Sequence, residues 1–61
     1  MKVRNILREL KRHGWRIVRV RGSHRQLKHS SKPGTVTVSG HPRLEIPPGT
    51  LKSIKKQAGL D

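Results

Sequence analysis

Cysteine, phenylalanine and tyrosine are absent from this 61-residue chain, and only Glu9, Glu45 and Asp61 carry acidic side chains. Each absence closes off a class of protein. Without cysteine there is no disulfide framework, no thiolate zinc site and no thiol nucleophile. Three scattered acids supply neither the clustered carboxylates of a two-metal nuclease nor the carboxylate pair of a glycosidase. The four histidines, His13, His24, His29 and His41, match no common zinc-ligand spacing, and dense positive charge opposes a dication, so no metal is expected. No apolar run approaches the roughly 20 residues of a membrane span. Met1-Lys2-Val3-Arg4 lacks the apolar stretch of a signal peptide, which makes the cytoplasm the expected location. The length accommodates one domain, residues 1–61, whose small core gives partner binding a part in stability as well as in function.

What is abundant is positive charge. Fifteen Lys and Arg against three acids leave +12 with the histidines neutral. Such a surface attracts polyanions. A solvated charged face and a basic helix lying on anionic lipid are the competing readings. Because the excess is spread over helical and extended segments alike, nucleic acid is the favoured partner.

Local patterns give the elements. Val3, Ile6, Leu7 and Leu10 recur at helical spacing over Lys2–His13, and Gly14 is the expected stop, with His13 suited to the helix dipole in the last turn. Trp15–Arg21 reads as a strand, but Trp15 and Ile17 differ in parity from Val18 and Val20, which predicts a bulge or twist near Ile17 and Val18. Trp15, the sole aromatic residue, is expected in the core. Gly22-Ser23 turns the chain into a second strand, His24–His29, with Leu27 inward and His29 half-exposed. After the loop Ser30–Gly34, Thr35–Val38 is a third strand with both valines inward. Leu44 and Ile46 are expected to cover the sheet edge, and a second helix to begin near Gly49 or Thr50, with Thr50 as N-cap. Leu51, Ile54 and Ala58 share its inner face, Lys52, Lys55 and Lys56 its outer one, and Gly59 ends it. The fold class is α+β: a three-stranded antiparallel sheet with two helices on one face, in the order α-β-β-β-α.

Without metal, thiol or carboxylate pair, one efficient route remains, because RNA brings its own nucleophile in the ribose 2′-OH. The protein must then move protons and stabilise the crowded phosphate. Imidazole titrates near neutral pH and suits the first task. Arginine, lysine and backbone N–H groups suit the second. DNA, lacking the 2′-OH, is excluded as a substrate for this chemistry. Within Arg21-Gly22-Ser23-His24-Arg25, Gly22 permits close backbone approach, Ser23 and local N–H groups can bind a phosphate oxygen, and Arg19, Arg21, Arg25 and Lys28 flank the histidine.

An opening amphipathic helix with Leu10, then Gly14-Trp15, Arg19, Gly22-Ser23-His24, Val36, Val38, His41, Gly49-Thr50-Leu51-Lys52-Ser53-Ile54 and Gln57-Ala58-Gly59-Leu60 follow one another end to end. In this order the chain resembles the HicA family of bacterial mRNA interferase toxins. The resemblance implies a fold similar to the double-stranded RNA-binding domain, cleavage of mRNA without metal or other cofactor, and neutralisation by a HicB antitoxin. It places the family's catalytic histidine on His24. Trp15 departs from a common phenylalanine, and Leu27 stands where an aromatic is frequent. His41 falls on a position that is often histidine; structural and functional roles are weighed evenly there.

The leading reading is therefore an endoribonuclease toxin. His24 acts as general base or acid, Arg19, Gly22, Ser23 and Lys28 bind substrate, and an acidic antitoxin covers the site. The alternative is a non-catalytic small basic RNA-binding module; a ribosomal or architectural basic protein is the third.

Overall fold

A computed structural model describes residues 1–60. Its elements run α1 (Val3–Arg12), β1 (Trp15–Arg21), β2 (His24–His29), β3 (Val36–Ser39) and α2 (Pro48–Ala58), the expected α+β order. The strands form one antiparallel sheet in the order β1-β2-β3. Both helices contribute to one core with the same sheet face, through Val3, Ile6 and Leu10 of α1 and Ile54 and Ala58 of α2.

No side chain caps the start of α1. Its first N–H groups donate instead to backbone carbonyls far along the chain, Val3 to Leu44 and Arg4 to Pro42, both at 2.9 Å. Orphan donors of a first turn need partners, and the segment after β3 supplies them. Lys2 bridges Glu45 in the same stretch, and the Ile46 N–H donates to the Met1 carbonyl. Met1's ammonium pairs with Glu45, and that hydrogen bond and charge hold the Glu45 carboxyl below the ordinary carboxylate range. This docking corrects the expectation for Leu44 and Ile46. Only Ile46 enters the core; Leu44 stays half exposed, lying over Gly40, where a Cβ would collide with it.

Pairing in β1 shifts register between Ile17 and Arg19, leaving Val18 as the extra residue of a bulge. Directly paired residues share a sheet face. Before the bulge, Trp15 and Ile17 point to the helices; after it, Arg19 and Arg21 pair with Gln26 and His24 on the bare face. The cost falls on Val18 and Val20, which remain about half exposed. Gly22-Ser23 closes the hairpin as a two-residue turn between paired Arg21 and His24, with a positive φ of 59° at Gly22. That angle is why glycine is needed there. Within the fold itself a Cβ on Gly22 would meet nothing within 4 Å, so the turn angle and not internal crowding calls for glycine.

The start of α2 also differs from expectation. The helix begins at Pro48, with Pro47 as N-cap, and Thr50 lies inside the first turn without capping it. Proline is pre-set for the first helical position, where its missing N–H would have had no partner. At the other end Gly59 is left-handed, φ 72°, and its N–H donates to Lys56 while Leu60's donates to Lys55. These two bonds define a Schellman stop. Lys32 adds its ammonium to the Ala58 carbonyl at 3.3 Å.

Trp15 is 2% exposed and its indole Nε1 has no hydrogen-bond partner. The ring meets His29 edge-on, with centroids 5.3 Å apart. His29 is half-buried as expected, and both its nitrogens are engaged. Nδ1 accepts the Ser31 N–H at 3.0 Å and the Lys32 N–H at 3.2 Å, so Nε2 carries the proton that it donates to the His13 carbonyl at 2.9 Å. His29 thereby ties the end of α1 to the loop after β2. Three outcomes are expected in denaturant titrations. Trp15→Ala should cost about 3–5 kcal/mol, whereas Trp15→Phe, which removes the unpaired N–H, should stay within about 1 kcal/mol of the parent. A phenylalanine variant as unstable as the alanine one would mean that the indole nitrogen is engaged. His29→Ala, which strands two donors and one acceptor at least partly open to water, should lose about 1–2 kcal/mol.

Candidate functional site

The sheet face opposite the helices is bare. Cross-strand register sets three rows of side chains on it: Arg16 with Lys28, Arg19 with Gln26 and Thr37, and Arg21 with His24 and Ser39. The last two rows frame an open concavity of about 270 Å³, lined by Arg19, Arg21, His24, Gln26 and Thr37. Among the described residues no carboxylate pairs with these arginines, because the one ion pair there joins Met1 and Glu45. Charge therefore stands uncompensated around a concave surface, which focuses an attractive field for anions.

His24 opens β2 directly after the hairpin turn, in register with Arg21 on one side and Ser39 on the other. Its Nδ1 lies 2.9 Å from Ser39 Oγ. No other hydrogen bond to the ring is present among the described residues, so Nε2 is free. The surrounding backbone is braced. Gly40 donates its N–H to the Ser23 carbonyl at 3.2 Å, and the Arg25 guanidinium reaches the Gly40 carbonyl at 2.8 Å and the Ser23 carbonyl at 3.2 Å. A clamp of this kind fixes the turn before His24 against the strand exit after Ser39.

The other histidines are placed differently. His29 has both ring nitrogens occupied, as described above. His13 is the exposed C-cap of α1, in line with the capping role expected for it. His41 is exposed, and its Nδ1 accepts the Arg43 N–H at 3.1 Å within a turn, which is a structural task. Among the described residues no three His, Asp or Glu gather as a metal-ligand set.

Of the residues singled out in sequence, the structure joins Arg19 and His24 in one concavity and sets Gly22 and Ser23 in the adjoining turn. Lys28 shares the bare face but sits two rows away, about 13 Å along the strand, beside Arg16. Arg25, next to His24 in sequence, is set on the helix-bearing face by its pairing with Val38 and serves the backbone clamp. Sequence reasoning missed Gln26, Thr37 and Ser39. Thr37 and Ser39 alternate with the inward Val36 and Val38, which marks them as outward, but their position opposite Gln26 and His24 depends on the register of β2 with β3.

These features define a class: a small one-sided α+β domain that presents a histidine and unpaired arginines on its bare sheet face. The chain belongs to the HicA toxin family, the HicA toxins of bacterial toxin-antitoxin systems, whose family model matches residues 3–60. No individual curated protein matches it significantly. Among the described residues, no helix is long and apolar enough to cross a membrane.

If the bare face is the anion surface, titrating isotope-labelled protein with inorganic triphosphate at low salt should shift the amide signals of Arg19, Arg21, His24 and Gln26 first. Earlier shifts at Lys52, Lys55 and Lys56 would move the anion surface to α2.

Proposed function

We propose that this HicA-family toxin is a metal-independent endoribonuclease that cleaves mRNA in the cytoplasm, with His24 as its proton-transfer residue. The observation that carries the reading is the placement of His24. It is the one histidine among the described residues that lines the concavity, it leaves Nε2 unengaged, and it has Arg19 and Arg21 beside it. In the reaction, Nε2 takes the proton of a ribose 2′-OH, and the 2′-oxygen attacks the adjacent phosphorus. The bond from phosphorus to the 5′-oxygen breaks, and that oxygen takes up a proton from the imidazolium or from water, leaving a 2′,3′-cyclic phosphate and a 5′-OH. General acid-base transfer of this kind is worth about 10²- to 10⁴-fold in rate. Arg19 and Arg21 meet the charge that grows on the phosphate oxygens. Gly22 and Ser23 border the site at the hairpin turn, and Lys28 holds the strand further along the same face.

Family membership supports a partner as well. A HicB-type antitoxin, acidic where this surface is basic, would inhibit by covering the concavity, and charge complementarity would make the association fast.

Purified protein incubated with RNA in the presence of a chelator should produce cyclic-phosphate ends, and His24→Ala should lower the rate at least 100-fold while RNA binding persists. Cleavage undiminished in His24→Ala would remove His24 from the chemistry. Salt-dependent binding without product, even at high protein excess, would return the protein to the RNA-binding-module reading.

A further inference from the structure

We propose that Ser39 is the positioning residue of the site: its hydroxyl oxygen accepts the Nδ1–H of His24 and holds the ring in the form whose free lone pair is on Nε2. This rests on the ribonuclease reading above and deepens it.

Ser39 Oγ stands 2.9 Å from His24 Nδ1, and the two residues are direct cross-strand partners at the last rung of β2 and β3. A neutral imidazole carries its proton on one nitrogen only, and the partner of that nitrogen selects which. With Nδ1–H directed at Ser39, Nε2 is the acceptor. Once Nε2 has taken a proton, the imidazolium still donates Nδ1–H to the same oxygen. The bond therefore survives every protonation state of the cycle, and the ring need not turn between taking a proton and releasing it. An Nε2–H tautomer, with the hydroxyl donating to Nδ1, would present a donor to the 2′-OH and could not accept its proton.

The partner is a hydroxyl, where many catalytic histidines lean on a carboxylate. On this face that choice has a physical sense, because a carboxylate would draw Arg19 or Arg21 into an internal ion pair and away from phosphate. Ser39 orients the ring without adding charge. Its own place is secured by the next residue: Gly40 is held to Ser23 by the N–H to carbonyl bond and by the Arg25 guanidinium, so the two ends of the pair are fixed to each other.

The test reads the tautomer directly. In isotope-labelled protein without RNA, the imidazole ¹⁵N shifts of neutral His24 should report Nδ1–H in the wild type and in Ser39→Thr, which keeps the hydroxyl. In Ser39→Ala the population should move toward Nε2–H. In cleavage assays Ser39→Ala should lower kcat roughly tenfold, the worth of one oriented hydrogen bond, with KM little changed. Ser39→Thr should restore most of the rate. A wild-type His24 that is mainly Nε2–H, or a tautomer population and kcat both untouched by Ser39→Ala, would overturn the assignment. Failure of the ribonuclease reading shows itself elsewhere, as cleavage that survives His24→Ala, and leaves the ¹⁵N result to decide the Ser39 pair by itself.

Discussion

One unpaired residue in an edge strand governs this molecule. Strand residues alternate between faces, so a regular β1 would place Arg19 and Arg21 on the same side as Trp15 and Ile17, against two helices. The bulge at Val18 resets the alternation midway. Four residues that share a parity are thereby divided, two into the core and two onto the open face with His24. Both the core and the cationic concavity depend on that reset. Burying two unpaired guanidinium groups would cost several kcal/mol each, a large part of the stability available to a domain of this size.

The one-sided architecture follows from scarcity. With so few apolar residues, the chain covers one sheet face and leaves the other bare. Among the described residues ten buried hydrophobics form the core, with Leu7, Ile17, Leu51 and Leu60 packed against it, so the face that cannot be covered is filled with side chains that prefer water. Those side chains are the ones that chemistry on a polyanion requires. The bare face is thus both the limit of what this composition can bury and the surface on which the candidate site stands. Support for it comes from backbone contacts at its margins, the Arg25 clamp on one side and the His29 tie on the other.

Much of this was legible in the sequence, and what was not has a common cause. Helical spacing in Val3, Ile6, Leu7 and Leu10, and the punctuation at Gly14, Gly22-Ser23 and Gly59, are local signals and gave the element order. The bulge was legible too, as a conflict of parity. The cap of α1 was not, because its acceptors are the carbonyls of Pro42 and Leu44, and carbonyls leave no mark on residue identity. Thr50 looked like an N-cap by side-chain chemistry, whereas Pro48 could begin the helix sooner by virtue of its fixed φ. At the site, His24 and Arg19 were evident from charge and motif. Ser39 was invisible for a geometric reason: its neighbour lies fifteen positions away, across a loop whose length does not set the register.

The long reach of the α1 cap also has a temporal side. During synthesis the first helix emerges early, yet the carbonyls that complete its first turn belong to residues made some forty positions later, and Ile54 and Ala58, which add the α2 side of the core, come later still. Residues 24 and 39 are likewise produced apart and meet only when β3 docks. A ribosome carrying most of this chain holds an unfinished helix and half a site. The concavity with its paired histidine forms only when β3 has paired with β2.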